Sequence, residues 1–120
     1  MSEELVLRAE QVAERAYAPY SGYLVGAVLH TRDGREFEGV NVENAAYPLG
    51  VCAERSAISS AATAGVRPGE VESIGITASP CGGCRQWLHE WRIESVSYRG
   101  SNGEIRTTTP GALLPDTWDF

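Results

Sequence analysis

The sequence predicts a three-layer α/β/α architecture with one mixed five-stranded sheet and helices on both faces. Three observations carry this. The periodicities run as helix, two strands, then two units of helix followed by strand; Asp33-Gly34 is a hairpin turn signal between the first two strands. At 120 residues the chain is long enough for one core and too short for a second, so residues 1–120 read as one catalytic domain.

From Ser2 to Tyr17, apolar Leu5, Ala9, Val12, Ala13 and Ala16 fall at helical spacing opposite Glu3, Arg8, Glu10, Glu14 and Arg15, with Ser2 as N-cap. Pro19, Ser21 and Gly22 break the pattern in a loop crowded by Tyr17, Tyr20 and Tyr23. Strands follow at Leu24–His30 and Arg35–Val42. The second ends in NVENAAYPLG, where alternation sets Asn41 and Glu43 on one face, an amide and a carboxylate able to grip a diol. Cys52–Ala64 is an Ala- and Ser-rich helix stopped at Gly65, and Ser73–Ala78 is the third strand. Pro80 leads into a third helix whose first turn holds Cys81 and Cys84 and whose apolar side holds Trp87, Leu88 and Trp91. Strands Glu94–Arg99 and Glu104–Thr108 flank an Asn102-Gly103 turn. The closing PGALLPDTWDF is too apolar for a free tail and is expected to pack on this chain or a neighbouring subunit.

Composition narrows the function. Net charge is −6 and no lysine is present, so polyanions are repelled, and nucleic acid and anionic membrane are poor partners. No apolar run of membrane-spanning length and no signal peptide is visible, which reads as cytoplasmic. Three cysteines cannot close a disulfide set, and in a reducing compartment thiols at short spacing are more often metal ligands.

Those thiols carry the chemistry. Cys81 and Cys84, three apart on a first helical turn, can reach one ion, and Cys52 completes the set from the start of another helix. The positive ends of both helices favour thiolate. His89, five residues beyond Cys84, lies about 140° round the helix and so points away, and His30 belongs to the hairpin. A fourth protein ligand is therefore missing, as in a catalytic zinc site that keeps one position for water. Glu54, two residues from Cys52, is placed to take a proton from that water, whose pKa falls from near 16 toward 7 on zinc. Three thiolates and one divalent ion sum to about −1, and Arg55 can offset this against the sulfurs.

With these residues placed, the sequence resembles the small homotetrameric zinc-dependent cytidine deaminases. Cys52-Ala53-Glu54 and Pro80-Cys81-Gly82-Gly83-Cys84 match the nucleobase deaminase signature. AYAPYSGYLVGA, NVENAAY, CAERSAI, PCGGCRQ and the closing LLP follow in family order across nearly the whole chain. The resemblance implies a cytidine deaminase-like fold, one zinc per subunit on Cys52, Cys81 and Cys84, and Glu54 as proton shuttle. It further implies Asn41 and Glu43 on the ribose hydroxyl, the Ala53 amide near the reacting centre, Tyr23 against the substrate and Trp118 reaching a neighbouring subunit's site. The implied reaction is hydrolytic deamination of cytidine or deoxycytidine, in pyrimidine salvage, by a homotetramer. Tyr23 and Trp118 stand where the family usually has phenylalanine. That leaves a modified aminopyrimidine nucleoside of the blasticidin S type as an alternative substrate. A non-enzymatic zinc-stabilised module and a polynucleotide-editing deaminase are the remaining readings; the acidic balance opposes the latter.

Overall fold

The computed structural model describes residues 2–118. Its elements are α1 (Ser2–Val12), β1 (Gly26–Thr31), β2 (Glu36–Val40), α2 (Ala53–Thr63), β3 (Val71–Ile76), α3 (Gly82–Glu90), β4 (Ser95–Arg99), β5 (Ile105–Thr108) and a one-turn α4 (Pro110–Leu113). The five-stranded sheet has the order β2-β1-β3-β4-β5. Only β3 and β4 run parallel; the remaining neighbours are antiparallel, which makes the sheet mixed as expected.

Alternation along β1 sorts the two faces. Val28 packs with Leu5, Ala9 and Val12 of α1, while Ala27 and Leu29 join Ala53, Ala57, Ile58 and Ala61 of α2 and Leu88 of α3 in the larger core. Helix α1 therefore covers one face, and α2 with α3 covers the other. All of these core side chains are buried.

Element ends differ from the sequence reading in instructive ways. The first helix leaves α geometry at Val12 and finishes as a 3-10 turn, Ala13–Arg15. The capping role expected of the Ser2 side chain lies outside the described residues. The hairpin turns at Asp33-Gly34, and Gly34 adopts φ +92°, a conformation glycine alone takes without strain. Both hairpin strands are shorter at their open end than alternation suggested. Asn41 accounts for this, because its side chain captures the backbone of Tyr23 and Val25 and holds that stretch as a loop. Beyond it, Val42 forms isolated bridges to Tyr17 and Val51. The short α4 was not foreseen; Thr109 caps it by accepting the Ala112 N–H at 3.2 Å, with Pro110 in its first turn.

One close approach fixes how α2 sits on the sheet. Gly39 of β2 lies so near the first turns of α2 that a Cβ there would overlap the Ala53 carbonyl and the Ala57 amide and come within 2.9 Å of the Ala57 Cα. A bare backbone at residue 39 lets the helix start, and the residues it carries, settle against the sheet.

Candidate active site

Two helix starts build the centre. Cys52 is the N-cap of α2 and Cys81 the N-cap of α3, where Cys81 Sγ accepts the Cys84 N–H at 3.5 Å. Cys84 is buried in the first turn of α3, Cys52 is half-buried and Cys81 is exposed. The three sulfurs all lie within 4.8 Å of one another. Tetrahedral zinc bonds of about 2.3 Å place sulfurs roughly 3.8 Å apart, so a small contraction seats the ion. Among the described residues this is the one grouping of three or more His, Cys, Asp or Glu side chains close enough to hold a metal. Among the described residues the donor set is thus three thiols from two helix ends with no fourth side chain in the group, which suits a catalytic zinc.

Electrostatics agree. The Cys84 thiol donates toward Cys52 and, with Cys81, draws the Cys52 pKa down to about 6 against the effect of burial, and Arg55 adds to the lowering. Cys84 is pushed up by the same pairing and by burial. One thiolate is thus ready at neutral pH, as metal binding requires. Glu54, on the first turn of α2, is only 4% exposed. Burial raises its pKa first and the Cys52 charge adds to that, so the carboxyl holds a proton more readily than an exposed glutamate. Arg55 follows it; burial pulls the guanidinium down, but its side-chain contact with Cys84 and the charges of all three cysteines outweigh this and raise it.

Two cavities open beside the sulfurs. The inner one, about 180 Å³, is lined by Tyr23, Val25, Asn41, Cys52, Ala53, Glu54, Ala78, Ser79 and Cys81. The outer one, about 420 Å³, shares Asn41 and Cys52 with it and adds Tyr20, Ser21, Glu43 and Tyr47 among others. Most expected site residues therefore meet: Cys52, Ala53, Glu54, Tyr23 and Cys81 at the inner cavity, Asn41 at the junction and Glu43 at the outer one. Trp118 lines neither cavity of its own chain and is 68% exposed.

Asn41 and Glu43 do more than alternation suggested. Asn41 Oδ1 accepts the Val25 N–H at 2.8 Å, and its Nδ2 donates to the Tyr23 carbonyl at 2.9 Å. Glu43 accepts the Tyr20 and Ser21 N–H groups at 3.0 and 3.1 Å and the Ser21 hydroxyl as well. Ser21 Oγ in turn accepts the Tyr23 N–H at 3.0 Å. The Ser21 hydrogen bonds depress the Glu43 pKa. A depressed carboxylate pKa means this clamp stays fully formed through the ordinary carboxylate range and loosens only as pH falls through the lowered value. The pair thus shapes the tyrosine loop with part of its bonding capacity and keeps the rest, a second lone pair and a second N–H, for a ligand.

Ser21 and Arg85 were missed by the sequence reading. Ser21 is a short hydroxyl beside Gly22, a turn-forming pair that does not by itself announce a partner. Arg85 follows Cys84 directly and ties the Ser79-Pro80 lead-in to α4, through Pro80 O at 2.8 Å, Ser79 Oγ at 3.1 Å and Leu113 O at 2.9 Å. Replacing Ser21 with Ala is expected to raise KM for the substrate about fivefold and leave kcat within twofold, because the loop loses the hydrogen bond its hydroxyl gives to the Glu43 carboxylate and the one it accepts from the Tyr23 N–H, and the reacting centre loses none. Steady-state kinetics on the purified variant check this.

Comparison with known proteins agrees with the geometry. The family described as the cytidine and deoxycytidylate deaminase zinc-binding region matches residues 1–99. A cytidine deaminase of Sporosarcina psychrophila is 39% identical, covering 94% of this chain and 88% of the relative. One from Halalkalibacterium halodurans is 40% identical over 92% of this chain and 89% of its own. Among solved structures, the cytidine deaminase from Burkholderia pseudomallei superposes with a TM-score of 0.91 at 43% identity, covering 98% of this chain and 99% of that one.

Proposed function

This chain belongs to the family of cytidine and deoxycytidylate deaminases with that zinc-binding region, and from this premise we infer that it is a zinc-dependent cytidine deaminase, hydrolysing cytidine or deoxycytidine to the uridine product and ammonia. The observation that carries the reading is three cysteine sulfurs within 4.8 Å of one another beside a cavity that also holds a buried glutamate.

Cys52, Cys81 and Cys84 would hold the ion, one per subunit. Zinc in such a site acidifies a water into a usable nucleophile at neutral pH. Glu54 takes the proton released from that water and delivers it to N3 of the pyrimidine as the oxygen bonds to C4. It then carries the second proton from the new hydroxyl to the exocyclic amine; the C4–N bond breaks, ammonia leaves and the C4 carbonyl forms. A carboxyl whose pKa is lifted by burial suits both halves of that transfer. The Ala53 amide, at the positive start of α2 and in the lining of the inner cavity, would stabilise the negative charge that develops on the oxygen bonded to C4. Arg55 offsets the excess negative charge of the thiolates. In the larger cavity Asn41 and Glu43 use their remaining capacity on the ribose hydroxyls, and Tyr23 lies against the substrate. A carboxylate beside the sugar favours a neutral nucleoside over a nucleotide.

The working form is a homotetramer in the cytoplasm, with the whole chain as one catalytic domain. Tyr17, Tyr20, Tyr23, Leu24, Val42, Tyr47, Leu49, Val51 and Trp118 are exposed, and contacts between subunits would cover apolar side chains of this kind. Trp118, which lines neither of the two cavities beside the sulfurs, would meet a neighbouring subunit's cavity in that assembly. Among the described residues no helix is long and apolar enough to cross a membrane. Mixing zinc-loaded protein with cytidine, deoxycytidine or blasticidin S and following ultraviolet absorbance tests the assignment, with sedimentation of the same preparation reading the assembly. Turnover of the first two by a four-chain particle is expected. Turnover of blasticidin S alone would overturn the substrate, and a fully active monomer the assembly.

A further inference from the structure

Gly83 lies inside α3 with no positive φ, so nothing in its backbone asks for glycine. In this first turn of the helix, directly after Gly82, an alanine would serve the backbone as well. What an added Cβ would meet explains the choice: Nη2 of Arg55, in outright overlap, and Cζ of Arg55 at 3.4 Å, and no other atom within 4 Å. Four residues on, and therefore on the same side of the helix, the Trp87 ring has Cζ of Arg55 at 5.9 Å from its centroid. Arg55 Nε is buried without a hydrogen-bond partner. With no bond at Nε, the contact with Cys84 and packing together decide where this guanidinium sits.

We propose that Gly83 and Trp87 are positioning residues that together seat the Arg55 guanidinium against Cys84, the large ring filling space on one side and the missing side chain yielding it on the other. The inference rests on the reading of Arg55 as the charge that offsets the thiolate cluster. It goes further in making the sizes at residues 83 and 87 interdependent. With a tryptophan at 87, a methyl at 83 pushes the guanidinium tip away from its place against Cys84; with a smaller side chain at 87, the tip has more room to yield while keeping that contact.

The test uses zinc-loaded protein and two readouts: the rate at which zinc passes to a chelating dye, and kcat and KM for cytidine. Gly83→Ala is expected to speed zinc transfer and lower kcat, each about tenfold, the lower end of what partners of metal ligands contribute, with KM within twofold. Trp87→Leu should move both readouts the same way, and Trp87→Phe, which keeps an aromatic face, should recover most of that loss. In the Gly83→Ala, Trp87→Leu double variant the losses should be clearly smaller than the product of the two single effects, because the guanidinium regains space. A purely structural role would shift melting temperature and leave zinc transfer unchanged, which overturns the proposal, as do multiplicative losses in the double variant. Arg55→Ala separates the two levels. If it leaves zinc retention and kcat intact, the charge-offset reading fails; if it disturbs them while the Gly83 and Trp87 variants do not, only the positioning proposal fails.

Discussion

Replacing Glu54 with Gln is expected to lower kcat for cytidine about 10⁴-fold while zinc content and KM stay near their original values. Each positioned proton transfer contributes about 10²- to 10⁴-fold, and this one carboxyl serves two transfers in sequence. A 10⁴-fold loss corresponds to roughly 5.4 kcal/mol of transition-state stabilisation. The amide keeps the shape of the side chain and can still hydrogen-bond, but it neither accepts the water's proton nor hands it on. Its burial, at 4% exposure, also sets the sign of a second effect. Burying a carboxylate opposes folding, and the raised pKa of Glu54 reports that opposition, with burial its largest cause. The neutral isostere removes it, so the variant should be at least as stable as the original chain, a trade of stability against activity common at active sites. Absorbance kinetics, zinc per chain and thermal melting on one preparation read all three quantities. A kcat within tenfold of the original, at equal zinc, would remove Glu54 from the proton path.

What could be read from the sequence divides along physical lines. The cysteine cluster was legible because thiols, proline and helix starts are local signals: Cys52 before Ala53-Glu54, and Cys81 and Cys84 after Pro80, needed only helical geometry to converge. The sheet was legible because β1 alternates cleanly between the α1 face at Val28 and the α2 face at Ala27 and Leu29. The strand ends were not, because a tertiary bond overrode them. Asn41 occupies the backbone of residues 23 and 25, across 16 to 18 positions, and no pattern within either strand announces it. The same holds for Ser21, whose hydroxyl joins Glu43 to the Tyr23 N–H. Nor could Gly39 be told from a weak strand residue, since its reason is a helix that packs upon it.

That packing makes Gly39→Ala the second large effect. A methyl at residue 39 would overlap the Ala53 carbonyl and the Ala57 amide, backbone atoms that cannot swing aside as a flexible side chain can. Either β2 or the start of α2 must move. Overpacking costs about 1–3 kcal/mol where side chains can adjust, so a cost of about 3 kcal/mol or more is expected here. The displaced turn carries Cys52 as N-cap, then Ala53 and Glu54. A shift of about 1 Å at a reacting group can lower turnover on the order of 10²-fold, so kcat should fall by that factor even in the fraction that stays folded and zinc-loaded. Gly111→Ala is the control, a helical glycine of α4 where a methyl meets nothing within 4 Å, and it should change neither quantity. Denaturant unfolding gives the stability difference, and turnover per bound zinc isolates the displacement from simple loss of folded protein. If Gly39→Ala melts early but turns over normally per zinc, β2 has moved instead of α2, and the sheet rather than the helix is the compliant partner.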